Sequence, residues 1–393
     1  MNRLFLSATL LLLGSSVQAA TYYVAKTGSN TNTCAQAASQ ASPKLTISAG
    51  VGCLSAGDTL IVKSGAYSES IGSVPSGISE AQPTRVMAEP LLSVTMNVSG
   101  EDGFRFSGSS ARYVLIKGFI LEGQFSASNG ISLYEGANYI EIHTCEIRNF
   151  MNQGIASQTS GSGSNYPHHI KVINCDIHST SKGKICTGSG TKGGYCHGLY
   201  FGANDSLVDH NKLHDNNGFG IQVYPVGNRT VVSNNVVYNN RSSNPSGTNE
   251  SVTGIFANGT GNQIFNNVVY GQDGGGIHVL GSGNSTHDNY SYNNGGGNYS
   301  GSLSGPNNLQ TAPPAGFPPP LGGTPPPPPP PPPAASCDVN KDSSVNVVDV
   351  QQAVNQALGA ACASDINQDG SCNVVDVQRV VNAALGGGCI TGP

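Results

Sequence analysis

Gly254-Ile-Phe-Ala-Asn-Gly-Thr-Gly-Asn-Gln-Ile-Phe-Asn-Asn-Val-Val-Tyr270 is followed by Gly276-Ile-His-Val-Leu-Gly-Ser-Gly-Asn-Ser-Thr-His-Asp-Asn-Tyr-Ser-Tyr292, a second copy of the same pattern 22 residues later. Working outward, the first phrase recurs at Gly130-Ile131, Gly154-Ile155, Gly198-Leu199 and Gly220-Ile221, and the second at Cys145-Glu-Ile147, Cys175-Asp-Ile177, Asn211-Lys-Leu213 and Asn235-Val-Val237. A period of 22 residues is too short for a helical hairpin repeat and suits one coil of a parallel β-helix, three short strands joined by turns. Side chains alternate across a strand, so Ile131/Leu133, Leu199/Phe201, Ile221/Val223 and Ile277/Val279 are expected to stack as core rows. Asn211, Asn235, Asn267 and Asn289 are expected to stack at one turn, each amide bonding its neighbours. Cys145 and Cys175 occupy the same slot and read as small buried side chains rather than a disulfide.

Composition agrees with many short strands and tight turns. Only 10% of residues are charged, Gly numbers 52, and Trp is absent. A net charge of -5 with scattered Lys and Arg argues against a nucleic-acid partner. Residues 1–19 read as a secretory signal peptide: Asn2-Arg3, an apolar run from Leu4 to Leu13, and small residues up to Ala19. No later stretch reaches the roughly twenty apolar residues of a membrane span. Ten cysteines fit an exported, secreted chain. Residues 20–304 form the repeat domain and 305–336 a linker with nine consecutive prolines, Pro325 to Pro333. Such a run adopts a polyproline II rod of roughly 28 Å.

Strand parity defines two outward rows on the first sheet. One reads Ser132, Ala156, Tyr200, Gln222, Phe256, His278; the other Tyr134, Gln158, Gly202, Tyr224, Asn258, Leu280. Neither contains a carboxylate, whereas a glycoside hydrolase needs two. The face offers Tyr200, Gln222, Tyr224 and His278, with His197 just before the Tyr200 strand. Three insertions crowd it: 179 to 196, with Cys186–Cys196 available as a pin, 240 to 253, and Ser157 to Pro167 leading to His168 and His169. Long loops on one part of a solenoid build a binding cleft. A Tyr/His constellation suits β-elimination on a uronic acid sugar, a base taking the C5 proton and a Tyr protonating the leaving oxygen. The expected catalytic residues are His197, Tyr200 and Tyr224. Gln222, Arg229 and His278 are expected to bind substrate, an amide or cation neutralising the sugar carboxylate. His210 and His214 straddle a turn and are read as surface residues, and His178, His214, Tyr238, Tyr270 and Tyr292 as a structural row on another sheet.

Residues 337–393 carry a close duplication 27 residues apart: Asp338-Val-Asn-Lys-Asp-Ser-Ser-Val-Asn-Val-Val-Asp349 and Asp365-Ile-Asn-Gln-Asp-Gly-Ser-Cys-Asn-Val-Val-Asp376. Oxygen donors at loop positions 1, 3, 5 and 12, with a carbonyl at 7, are the layout of an EF-hand-type calcium loop. Each loop leads into an apolar helical pattern ended by Gly359 or Gly386. Cys337, Cys362, Cys372 and Cys389 leave three pairings open. A loop with only its following helix, twice, resembles a dockerin domain. That resemblance implies two Ca2+ sites, at Asp338, Asn340, Asp342, Ser344 and Asp349, and at Asp365, Asn367, Asp369, Ser371 and Asp376. It also implies a cohesin-type partner on a scaffold or surface. Ser343 replaces the turn glycine of the first loop, and Val347/Val348 and Val374/Val375 stand where dockerins often carry Ser/Thr.

Thr21-Tyr-Tyr-Val-Ala-Lys-Thr-Gly28, Gly57-Asp-Thr-Leu-Ile-Val62 and Gly65-Ala-Tyr67 resemble the opening of extracellular β-helix proteins, polysaccharide lyases among them. The resemblance implies an all-β, right-handed, pectate-lyase-like solenoid whose first segment caps the helix, with Cys34 and Cys53 as a cap disulfide. Together the two resemblances imply a polysaccharide-degrading enzyme, a lyase in preference to a hydrolase. An epimerase and a non-catalytic glycan-binding β-helix are the other readings.

Overall fold

The computed structural model describes residues 19–98, 100, 102–159, 165–181, 196–241, 252–318, 337–340, 345–360, 362, 364–367 and 371–391. The expected signal peptide up to residue 18, the proline run, Cys186, most of the 179–196 and 240–253 insertions, and Asp342, Ser344 and Asp369 fall outside them. The chain divides into two compact units, residues 1–323 and 324–393.

The first unit is a parallel β-helix. One face is an eight-stranded parallel sheet, with one strand per coil: Asp102–Ser107, Asn129–Tyr134, Gln153–Gln158, His197–Phe201, Phe219–Val223, Thr253–Ala257, Gly275–Val279 and Tyr299–Gly301. Each coil then adds strands on two further faces, as Asn138–His143 and Glu146–Arg148 follow Asn129–Tyr134. The register stacks like on like: Ile131, Ile155, Leu199, Ile221, Ile255 and Ile277 are mutual partners up the helix. All six are completely buried, as the core-row expectation required. The N-terminal cap is the strand Thr21–Val24 with two short helices, Cys34–Ala37 and Ile47–Val51, clamped by the Cys34–Cys53 disulfide.

The corners follow from asparagine chemistry. Asn234, Asn266 and Asp288 hold left-handed φ values of 56°, 57° and 55°, a region that Asn and Asp tolerate better than most residues. The residue after each turns its amide inward. Asn211 Nδ2 donates to Asn235 Oδ1 at 3.0 Å, Asn235 to Asn267 at 2.9 Å, and Asn267 to Asn289 at 3.0 Å. Each oxygen also accepts the backbone N–H of the ladder residue one coil below, as Asn267 Oδ1 does from Asn235 at 3.0 Å. A second ladder, Asn216 to Asn240 to Gln272, runs at the next corner with 3.0 Å spacings; the repeat phrases did not reveal it. Cys145 and Cys175 continue the first ladder as buried free thiols. The Cys175 backbone N–H reaches Asn211 Oδ1 at 2.8 Å.

His178, His214, Tyr238, Tyr270 and Tyr292 stack ring on ring with centroids 4.6–5.2 Å apart. Burial lowers the His214 pKa, but hydrogen bonds to Asp176 and Asp215 outweigh it and hold the ring's pKa above its ordinary value. His210 bonds Asp209 instead. The solenoid also runs past residue 304, the expected end of the repeat domain. Ser291 N–H donates to Leu309 O at 2.9 Å, and Phe317 packs edge-on against Tyr290 at 4.8 Å. A Pro/Gly/Asn-rich composition reads as linker, yet the backbone carbonyl of Leu309 and the ring of Phe317 are both held by the last coil.

The second unit has two helices, Val347–Ala357 and Val374–Ala384, each opened by an Asn–Asp capping box. Cys337, Ala353, Ile366 and Val380 are its buried core. Of the three possible cysteine pairings the structure has Cys337–Cys389 and Cys362–Cys372. Among the described residues no helix is long and apolar enough to cross a membrane.

The ladder makes a quantitative demand. Replacing Asn267 by Ala strips partners from buried groups in two neighbouring coils, at about 1–3 kcal/mol per orphaned group. We expect Asn267→Ala to lower the stability of the β-helix unit by about 3–5 kcal/mol in denaturant unfolding.

Candidate functional site

The site grows from the glycine of each repeat phrase. A Cβ at Gly154 would lie 2.4 Å from Ile177 Cγ2 and 2.7 Å from Gly198 O, so only glycine fits there. The backbone bends to make this approach, and strict alternation fails across the glycine. Residues three apart then share the outer face, which a regular strand forbids. His197 stacks on Tyr200 with centroids 5.4 Å apart and rings 17° from parallel, and Asn129 Nδ2 reaches Ser132 Oγ at 3.3 Å.

The outer face therefore has a third row that parity alone does not find: Asp102, Asn129, Gln153, His197 and Phe219, in register up the sheet. This corrects the expectation that the face lacks a carboxylate, since Asp102 belongs to it. The signal was present in the sequence, because Asp102, Asn129, Gln153 and His197 each immediately precede a glycine.

The face has two chemically distinct ends. Coils one to three hold a polar cleft of about 630 Å³, lined by Asp102, Arg105, Asn129, Tyr134, Glu135 and Gln153 among others. Asn129 Nδ2 donates to Asp102 Oδ1 at 3.0 Å, Arg105 lies 3.5 Å from Asp102, and its guanidinium sits 5.2 Å from the Tyr134 ring centre. Coils four to seven are aromatic. His197, Tyr200, Phe219, Tyr224, Phe256 and His278 form a continuous chain of ring contacts, with centroids 5.2–6.4 Å apart. Neighbouring coils are about 4.8 Å apart, so the face from Asp102 to His278 is about 29 Å long.

Of the expected site residues, the structure brings His197, Tyr200, Gln222, Tyr224 and His278 onto this face. Gln222 is in register between Tyr200 and Phe256, and its Oε1 is buried without a hydrogen-bond partner. Tyr224 is at the rim, 39% exposed. His197 is only 3% exposed and its Nδ1 also lacks a partner. Burial lowers its pKa to about 3, with a hydrogen bond to the Cys196 backbone offsetting this only in part. Burial also lowers the pKa of His278. Arg229 is not on the face. It sits in a turn at φ 54°, with Nε and Nη2 2.6 and 2.8 Å from the carboxylate of Asp205. It was expected to supply the cation for the sugar carboxylate, but the left-handed turn places it where Asp205 takes its guanidinium. Cys196 is disulfide-bonded; its expected partner Cys186 is outside the described residues.

In the second unit the loop-position-12 carboxylates are buried. Asp349 accepts the backbone N–H groups of Asn340 and Asn346 at 3.0 and 2.8 Å, and Asp376 those of Asn367 and Asn373 at the same distances. Burial pushes the Asp349 pKa up, but those donors outweigh it and keep the carboxyl below its ordinary pKa, hence anionic. The carboxylates of Asp338, Asp349, Asp365 and Asp376, with the neutral oxygens of Asn340, Asn367 and Ser371, fit a hard cation such as Ca2+. Among the described residues no group of three or more His, Cys, Asp or Glu side chains is gathered to hold a metal.

A family model described as right-handed β-helix region matches residues 102–295. No curated protein matches the sequence. Solved structures of similar shape include a pectate lyase, 17% identical over 76% of this chain and 80% of its own, with a TM-score of 0.48. A rhamnogalacturonan lyase is 15% identical over 70% and 81%, with a TM-score of 0.47. The A-module of a mannuronan C-5 epimerase from Azotobacter vinelandii is 16% identical over 61% and 70%, with a TM-score of 0.41.

The burial of His197 has a measurable sign. Its folded pKa of about 3 lies below the ordinary 6.5, so the unfolded chain binds the proton more readily. Its contribution to stability is complete above pH 6.5 and is lost as pH falls toward 3. An NMR titration of the His197 ring is expected to show no protonation from pH 8 down to about 5.

Proposed function

We propose that the protein is an exported, polysaccharide-degrading β-helix enzyme that binds an acidic glycan along the outer face of the eight-stranded sheet and cleaves it by β-elimination. The observation that carries this reading is the uncharged imidazole of His197, its Nδ1 without a hydrogen-bond partner, packed against Tyr200 on a face that also presents Gln222 and Tyr224. A base must be deprotonated before it can act, and His197 is deprotonated across the neutral range. The carboxylate of a bound uronate raises the imidazole pKa, because a nearby anion favours the imidazolium. His197 then accepts the C5 proton. The C5–H electrons form the C4–C5 double bond, the C4–O4 bond breaks, and Tyr200 or Tyr224 gives its proton to the leaving oxygen. Gln222 donates its amide to the sugar carboxylate. With Arg229 held by Asp205, that task falls to Gln222 rather than to a cation. His278 and Phe256 lie further along the chain of rings and provide stacking surface.

A hydrolase is the second reading, favoured by one observation: Asp102 and Glu135 line the same cleft, and two carboxylates flanking a scissile bond are what glycoside hydrolysis requires. An epimerase shares the proton-abstraction step, and a non-catalytic glycan binder uses the same surface without it.

The C-terminal unit is proposed as a dockerin-like tether. Two Ca2+ ions are held by Asp338, Asn340, Asp342, Ser344 and Asp349, and by Asp365, Asn367, Asp369, Ser371 and Asp376. Bound Ca2+ neutralises the clustered carboxylates and fixes each loop ahead of its helix. Val347 and Val374, 76% and 75% exposed at equivalent places on the two helices, supply paired apolar contacts for a cohesin-type partner.

Ultraviolet absorbance of an unsaturated uronyl product, followed over a panel of acidic polysaccharides, tests the reaction. Absorbance is expected to rise on one of them, with Tyr200→Phe or His197→Ala lowering kcat by about 10²–10⁴-fold while binding persists. Reducing ends released without absorbance would replace the lyase by the hydrolase, and binding without product would leave a binding protein. Chelation is expected to lower the thermal stability of the C-terminal unit by about 3 kcal/mol or more, read from loss of helical circular dichroism.

A further inference from the structure

A smaller cavity on another face of the coil lies outside the groove and takes no part in the chemistry proposed above. It has a volume of about 220 Å³ and is lined by Glu80, Arg85, Leu115, Glu141, His169 and Lys171 among others. Arg85, Leu115, Glu141 and Lys171 are in register on successive coils and alternate with the buried Val86, Val114, Ile140 and Val172, so they form one outward row. Glu80, shortly before Arg85 in the chain, is bonded to the far end of that row, its Oε1 2.6 Å from Lys171 Nζ. Lys171 thus bonds Glu80 and not its own neighbour Glu141, whose carboxyl has no hydrogen-bond partner among the described residues. Burial raises the Glu141 pKa, and attraction to Lys171 and Lys117 only partly offsets it. Tyr139, on the same wall, is stacked between Tyr113 and His169, with centroids 5.0 and 4.5 Å apart. Burial lowers the His169 pKa, so that ring is uncharged near neutral pH.

A partly buried carboxyl with no donor is a site left incomplete. The cavity sets two cations, Arg85 and Lys171, against two carboxyl groups, Glu80 and Glu141. An anionic ligand would be desolvated beside Glu141, and a cationic one beside Arg85 and Lys171. Hydroxyl groups avoid both costs, because each donates and accepts without a charge. The volume is below the roughly 300–1,000 Å³ of a drug-sized ligand pocket, which limits the ligand to one small ring. We propose that this cavity binds one neutral sugar unit, two neighbouring hydroxyls donating to the Glu141 carboxylate and a third bonding the Tyr139 hydroxyl. Tyr113 and His169 cover the faces of Tyr139, so the ring contributes its edge and hydroxyl rather than a stacking platform. The site is separate from the groove on the eight-stranded sheet and needs no uronic acid. It adds a neutral sugar, as a branch or as a unit of a mixed chain, to what the protein recognises.

Saturation-transfer NMR on the full chain with calcium tests this, using the methyl glycosides of glucose, galactose, mannose, xylose, arabinose and rhamnose. The methyl glycosides of galacturonic acid and glucosamine are the charged controls. At least one neutral glycoside is expected to bind, with a Kd on the order of 1 mM, and more tightly than either control. Glu141→Gln is expected to weaken it about 10-fold by removing a charged acceptor, and Tyr139→Phe about 3-fold by removing one hydroxyl. Equal binding by wild type and Glu141→Gln would overturn the site, as would preference for a charged control or binding of no neutral glycoside. If Glu141→Gln does not keep wild-type thermal unfolding, Tyr139→Phe decides in its place, and unchanged binding by that variant overturns the proposal. Each of these outcomes leaves the elimination reading of the groove where it stands.

Discussion

The stacking of buried amides at the coil corners is the constraint on which everything else in the first unit depends. A parallel coil leaves a buried carbonyl and a buried N–H at every corner, and each must be paired. Asn235, Asn267 and Asn289 do so by bridging to the coils on either side. Because the bridge is two-sided, it fixes spacing and register together. The isoleucine rows then stack without offset, and the outer face becomes an array in which each coil presents equivalent positions. The groove is thus a by-product of how the backbone is satisfied inside.

The glycine beside each strand is the second determinant, and it marks where the reading of the sequence stopped. The core rows, the first ladder and the free thiols followed from periodicity, because period and polarity report burial directly. The outer face followed only in part, because simple alternation breaks at a glycine that has no room for a side chain. Asp102 and Gln153 were thereby missed, although both stand in the same place before a glycine as His197, which was noticed. Arg229 was misplaced for a related reason, since a left-handed turn redirects a side chain without changing its position in the repeat. The second ladder escaped notice because Gln272 substitutes for Asn within it, and a longer side chain doing the same work disguises the pattern.

The C-terminal unit was legible for a different reason. Its two halves repeat 27 residues apart, so the two helices and the loops before them are visible even in a short segment. The structure adds the part that spacing does not supply: Asp349 and Asp376 each gather backbone N–H groups of their own loop and cap the following helix. One carboxylate thereby ties loop closure to helix initiation. That coupling makes a two-helix unit with a core of few side chains feasible, together with its two disulfides.

The regular coil has one last implication. Since every coil contributes one rung to the floor of the groove, the outer face behaves as a molecular ruler. The distance between any two side chains of one outward row is counted in whole coils, so it changes only in whole steps. Duplicating or deleting one coil between them would move them apart or together by about 4.8 Å while the surroundings of each stayed as they were. Spacing along such a face is set by repeat number, a quantity that gain or loss of a whole repeat alters without altering a residue.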